Sequence, residues 1–169
     1  GTDAQKERFL PDLVAGRALA GFGLTEPDAG SDAGATRTKA VLENGEWVVD
    51  GSKAFITNSG TDITSVVTVT ARTGTDADGR PEISAIMIPS GTSGFTVEAP
   101  YDKLGWNISD THGLSFAGCR VPEENLLPNV QGLKEPFGCL NSARFGIAWG
   151  ALGAAEFFWH ASRQYTLDR

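Results

Sequence analysis

The sequence predicts an α+β chain in which an antiparallel β-barrel or sandwich is flanked by helical segments. Three observations carry this expectation. Between residues 19 and 128, short runs rich in Val, Ile, Thr and aromatic residues recur, punctuated by Asn44-Gly45, Asp50-Gly51 and Asp78-Gly79. Many short strands with turn signals at that spacing favour a barrel or a sandwich. Thr2 and Gln5 have the spacing of a helix-opening capping box. From Phe137 to Arg169 there is no proline, and apolar residues recur at helical intervals.

Residues 1–18 form the first zone, read as the end of a helical domain. Phe9, Leu10, Leu13 and Val14 give it an apolar stripe. Pro11 is expected to open a second short turn and Gly16 to close it. Residues 19–128 form the β domain. Trp47 to Val49 is expected as one strand and Phe55 to Thr57 as the next, because Asn-Gly and Asp-Gly both accept the positive φ of hairpin turns. Ser65 to Arg72 follows, then a polar loop from Thr73 to Pro81, then strands at Ile83 to Pro89, Gly94 to Ala99 and Gly113 to Val121. Residues 129–169 read as the start of a second helical domain. Its stripe runs through Phe137, Leu140, Ile147, Ala148, Ala151, Leu152, Ala155, Phe158 and Trp159. Gly146, Gly150 and Gly153 each disfavour helix by about 1 kcal/mol relative to Ala, so close packing against a neighbour or a ligand is expected there.

Composition narrows the function. The chain has 169 residues, 40% of them hydrophobic, enough to bury a core. Fourteen basic residues against 21 acidic ones give a net charge of −7. That argues against broad nucleic-acid binding, yet leaves room for an anionic ligand in a local pocket. No apolar run is long enough to cross a membrane as a helix, and no signal-peptide pattern is visible. Cys119 and Cys139 are the only cysteines, so a reducing compartment is expected. With His112 and His160 they lack zinc-site spacing. Ser31, Asp32 and His112 lack a G-x-S-x-G elbow. His112 is expected to bond a loop and His160 to lie on a helix surface. The chain starts at Gly1, has Met87 as its only methionine and ends at Arg169 inside a helical pattern. A piece of a longer protein is therefore expected.

Two segments could carry chemistry. Gly21 to Asp32 reads GFGLTEPDAGSD. It departs from the dinucleotide fingerprint because Pro27 interrupts any helix there, and no Walker-type lysine follows. It is either a strand ending in a glycine-rich turn, or a strand exit whose N–H groups and Thr25 and Ser31 hydroxyls bond a polar ring and a diphosphate. Phe55-Ile56-Thr57-Asn58 is either a core strand ending in a turn, or an aromatic wall beside a hydroxyl that suits a planar heterocycle.

LTEPDAGSD and KAFITN resemble the paired flavin-binding segments of the acyl-CoA dehydrogenase family. The resemblance continues through SDTHGLSFAGCRVPEENLL (Ser109 to Leu127) and FGCLNSARFGIAWGALGAAE (Phe137 to Glu156), and covers nearly the whole chain in the family's order. It implies the end of an N-terminal helical domain, a complete middle β domain and the first long helix of a C-terminal helical domain. It implies FAD as cofactor. Phe22, Gly23, Leu24 and Thr25 would lie against the flavin, with Thr25 bonding its pyrimidine edge. Phe55 would pack on the ring where many family members carry tryptophan, Thr57 would approach the N5 region, and Ile56 is also implied as a cofactor contact. Ser31 would sit near both the diphosphate and the acyl-CoA. Phe137, Leu140, Asn141 and Arg144 would contact the CoA part of the substrate, and Arg169 would reach the FAD of a neighbouring subunit.

The reaction so implied is α,β-dehydrogenation of an acyl-CoA thioester, with the α-proton taken by a carboxylate and the β-hydrogen leaving as hydride to flavin N5. The family's base is a glutamate late in the C-terminal domain, outside this chain. Glu26 is expected to have a structural role in its turn and Glu156 to lie on a helix face. The resemblance also implies electron-transfer flavoprotein as acceptor, a homotetramer when complete, and the bacterial cytoplasm or the mitochondrial matrix as location. The tail is similar to glutaryl-CoA dehydrogenases, whereas GWNISDTHGLSF looks like general bacterial acyl-CoA dehydrogenases. The alternatives are a non-catalytic flavin- or CoA-binding module, a glutaryl-CoA-specific oxidative decarboxylase, and a flavin oxidase or monooxygenase of the same fold. The isolated chain is expected to bind FAD poorly and to have no turnover.

Overall fold

A computed structural model describes residues 1–169. Two compact units are present, residues 1–133 and residues 134–169. The first opens with helix α1 (Asp3–Val14). The Thr2 hydroxyl accepts from the Gln5 N–H at 3.1 Å, and the Gln5 side chain accepts from the Thr2 N–H at 2.8 Å. The other end of the Gln5 amide donates to the carbonyls of Glu124 and Leu126, which explains its burial. Pro11 does not open a second turn; it lies inside α1. The helix tolerates it because the carbonyl that loses its donor belongs to exposed Glu7. Gly16 follows the helix end at φ +69°.

Seven strands follow: β1 (Leu19–Gly23), β2 (Lys39–Glu43), β3 (Glu46–Thr57), β4 (Thr64–Thr75), β5 (Pro81–Pro89), β6 (Phe95–Pro100) and β7 (Thr111–Pro122). They form one sheet in the order β1-β4-β2-β3-β7-β6, with β5 on β4. Most pairs are antiparallel; β1 runs parallel to β4, as does β2 at a single residue pair. The inward faces meet in one apolar core that includes Trp47, Val49, Ile56, Val67, Val69, Ile86, Ile88, Leu114, Phe116 and Val121.

The Asn44-Gly45 turn joins β2 to β3, and both residues have positive φ. Asp50-Gly51 is not a turn. It is a bulge within one continuous strand, where the register to β7 slips between Val49 and Gly51. The Asp50 carboxylate accepts from the Gly118 N–H at 2.8 Å, a bond to a partner strand that local sequence cannot reveal. The polar tract expected as a loop from Thr73 is shorter, because β4 runs on to Thr75 and pairs with Pro81.

The second unit is helix α2 (Lys134–Leu167). Its large apolar residues Phe145, Ile147, Trp149, Leu152, Phe157, Phe158 and Trp159 are exposed. Nothing lies within 4 Å of a Cβ placed on Gly146, Gly150 or Gly153. No helix is long and apolar enough to cross a membrane.

Candidate functional site

The two segments singled out in the sequence meet at the end of β1. The Ala54 N–H donates to the Thr25 carbonyl at 2.8 Å. A Cβ on Gly21 would come within 3.2 Å of Val67 and 3.4 Å of Ile56, and one on Gly23 within 3.0 Å of Val69 and 3.2 Å of Lys53. The two glycines thus let β1 lie close against β4 and the C-terminal end of β3. Beyond β1, Pro27 and Asp28 form a tight turn closed by reciprocal Glu26–Ala29 backbone bonds of 3.0 and 3.2 Å. Ser31 lies past this turn and is exposed.

Beneath the strand exit lies a buried ion pair. Lys53 Nζ is 2.7 Å from Glu26 Oε1, and the two side chains are 0% and 4% exposed. Lys53 also donates to the Leu24 carbonyl at 3.3 Å, the Thr70 hydroxyl at 3.2 Å and the Thr36 hydroxyl at 3.3 Å. Glu26 accepts from the Thr36 hydroxyl and from the N–H groups of Arg37 and Thr38. Burial pushes the Glu26 carboxyl upward, but the Lys53 ammonium and these donors outweigh it and hold the group at about 2. Glu26 is therefore a fixed, buried anion without access to a substrate, and is unsuited to proton abstraction. Sequence reasoning assigned no role to Lys53; the only local signal is a lysine between glycine-rich and apolar residues of a strand.

Phe55 is the outward member of the site. It is 64% exposed and adopts φ +61°. For a non-glycine residue this conformation costs about 1–2 kcal/mol. Its ring centroid is 4.8 Å from that of Tyr101, with the planes 31° apart. Thr57 is exposed on the same side, Thr25 and Phe22 are half-buried, and Leu24 and Gly23 are buried. Ile56 is 2% exposed and belongs to the core. Its side chain packs inward, so its backbone is the part that can approach a ligand.

Asp110 closes the far end of this segment. It accepts from the Gly60 N–H at 2.8 Å and sits 2.7 Å from His112 Nε2, while the Asp110 carbonyl accepts from the Asn58 N–H. His112 Nδ1 lies 2.7 Å from the Glu98 carbonyl. His112 thus bonds a loop, and His160 is exposed on α2.

The remaining predicted residues lie on α2. Phe137, Leu140, Asn141 and Arg144 are spaced three and four apart and share one helix face. Arg144 donates to the Asn141 side chain at 3.2 Å. Arg169 is exposed, and its guanidinium lies 4.9 Å from the Tyr165 ring centroid.

Comparison with known proteins gives a consistent picture. The family described as acyl-CoA dehydrogenase, middle domain, matches residues 21–119. A probable acyl-CoA dehydrogenase of Bacillus subtilis (strain 168) is 44% identical over 170 residues, covering 100% of this chain and 44% of that protein. The short-chain-specific acyl-CoA dehydrogenase of Clostridium acetobutylicum is 40% identical over 171 residues, covering 100% of this chain and 44% of its own length. Among solved structures, a glutaryl-CoA dehydrogenase from Mycobacterium smegmatis in complex with FADH2 superposes with a TM-score of 0.82. It is 41% identical and covers 92% of this chain and 38% of its own. The chain thus spans less than half the length of these relatives.

Proposed function

The chain belongs to the acyl-CoA dehydrogenase family, and on that premise we propose that it forms the flavin- and acyl-CoA-handling part of an FAD-dependent enzyme that dehydrogenates acyl-CoA thioesters between the α and β carbons. The observation that carries this reading is the junction at Ala54 and Thr25, which brings an exposed aromatic ring, Phe55, beside a polar strand exit. The donor set suits FAD. Phe55 and Phe22 offer apolar faces, Thr25 and Thr57 offer hydroxyls at a ring edge, and exposed Ser31 offers one toward a diphosphate. When bound, FAD supplies the hydride acceptor.

The chain's own residues hold and orient. Lys53 and Glu26 pin the backbone at Leu24 and Glu26, and so set where Thr25 points. Phe137, Leu140, Asn141 and Arg144 present one face to the CoA moiety, with Arg144 as its cation. Arg169 is assigned to the FAD of a neighbouring subunit, in a homotetramer. The catalytic glutamate is assigned to sequence outside this chain, and the acceptor is electron-transfer flavoprotein. Residues 1–18, 19–128 and 129–169 are then the end of a helical domain, the middle β domain and the start of a second helical domain. The bacterial cytoplasm or the mitochondrial matrix is the proposed location. The likeness to glutaryl-CoA dehydrogenase supports a second reading of the substrate, glutaryl-CoA with decarboxylation.

The test uses the protein translated from the whole reading frame that carries this chain. Mixed anaerobically with butyryl-CoA or glutaryl-CoA, it is expected to lose its oxidised-flavin absorbance. Carbon dioxide release with glutaryl-CoA alone selects the second reading. Absence of bound flavin, or flavin that no acyl-CoA bleaches, defeats the proposal. The 169-residue chain by itself is expected to bind FAD weakly and to show no bleaching.

A further inference from the structure

Resting on the FAD reading above, we propose that Tyr101 is a positioning residue that holds the Phe55 ring as one wall of the flavin site. Phe55 departs from ordinary strand geometry in two ways. It has left-handed φ within a stretch where the register to β7 shifts between Lys53 and Ile56, and its ring points into solvent. Neither backbone preference nor burial holds an aromatic residue there. Strain of this kind persists only where surrounding structure over-determines it, and it clusters at functional sites. The aromatic partner that does hold the ring is Tyr101, which arrives from the segment after β6.

Tyr101 is itself anchored. Its N–H donates to the Thr111 carbonyl at 3.0 Å. Lys103, two residues on, donates to the Thr111 hydroxyl at 2.8 Å and to the Ser109 carbonyl, which fixes the base of the loop. The Tyr101 hydroxyl lies beside Gly113, 3.4 Å from where a Cβ there would stand. The same stretch of β7 pairs with the end of β3, Thr111 with Thr57 and His112 with Ile56. One short piece of β7 therefore sets both the strand that carries Phe55 and the ring that supports it. The tilted pair restricts Phe55 to one orientation, so a planar heterocycle meets a preset face and does not have to order a mobile side chain.

The experiment compares Tyr101→Ala, Tyr101→Leu and Tyr101→Phe in the protein from the whole reading frame, stripped of flavin and titrated with FAD. Flavin fluorescence and far-UV circular dichroism are the readouts. Tyr101→Ala and Tyr101→Leu are expected to raise the Kd for FAD about fivefold, the size of one aromatic contact, and to leave the bound flavin more fluorescent. Tyr101→Phe is expected to match the parent in both, since the ring and not the hydroxyl does the holding. A folded alanine or leucine variant with the parent's Kd and fluorescence overturns the proposal. If the alanine variant does not fold, the leucine variant decides alone. A parent protein that fails to take up FAD overturns the functional reading and this proposal with it.

Discussion

Replacing Lys53 with methionine removes an ammonium from the centre of the strand exit while keeping most of its stem. Glu26 then stays buried, 4% exposed, with the Thr36 hydroxyl and the Arg37 and Thr38 N–H groups as its remaining donors. Removing one partner of a buried pair costs about 3–5 kcal/mol. With three donors left, the lower end applies, and Lys53→Met is expected to lose about 3 kcal/mol at pH 7. The pH dependence follows from the signs. In the parent the folded value is depressed, so this stabilisation is complete above 4.5 and is lost as pH falls through about 2. In the variant, burial remains and the ammonium is gone, so the carboxyl rises and protonation relieves the buried charge. The deficit should therefore shrink as pH is lowered from 7 toward about 4. Adding Glu26→Gln should recover more than half of it. Urea unfolding followed by the emission of buried Trp47 measures all three. A loss below about 1 kcal/mol at pH 7, or one independent of pH, refutes the claim that this pair organises the site.

Two further outcomes follow from local geometry. Gly51→Ala is expected to destabilise by at least about 2 kcal/mol, because a Cβ at φ +146° would come within 2.7 Å of the Thr38 Cα, a backbone atom that cannot simply move aside; a melting temperature equal to the parent's would contradict this. Burial pushes Asp110 upward, but the Gly60 N–H and His112 outweigh it and hold the carboxyl below its ordinary 3.8. Its contribution is then complete above 3.8 and fades as pH falls below that value, so the penalty of Asp110→Asn should be larger at pH 6 than at about pH 3. Equal penalties at both would show that the ionised form is not what His112 and Gly60 hold.

Some features were legible because they are local. The capping box at Thr2 and Gln5 needs four consecutive residues, and the Asn44-Gly45 hairpin needs two that tolerate positive φ. The strand runs were legible because β-branched residues and alternation mark a half-buried surface. Asp50-Gly51 misled because the same dipeptide serves a turn or a bulge. The choice was made by Gly118, whose N–H bonds the Asp50 side chain. Pro11 misled because helix tolerance of proline depends on whether the stranded carbonyl reaches water.

The candidate site divides along the same line. Its two segments could be singled out from motif order, and so could the assignment of Glu26 to structure instead of catalysis. What could not be read is how they meet. The parallel seating of β1 on β4, the ion pair between Lys53 and Glu26, and the tilted packing of Tyr101 against Phe55 all join residues far apart in sequence. Each depends on strand register, which one inserted residue shifts by a full side-chain reversal. By itself the sequence determined which elements form and which residue types are available to a ligand, because propensity, capping and turn chemistry act over a few residues. The tertiary structure alone decided which of those residues share a face, which charge is neutralised by which partner, and that Ile56 turns inward while Phe55 turns outward. Those outcomes are set by contacts whose energies exist only after the strands have paired.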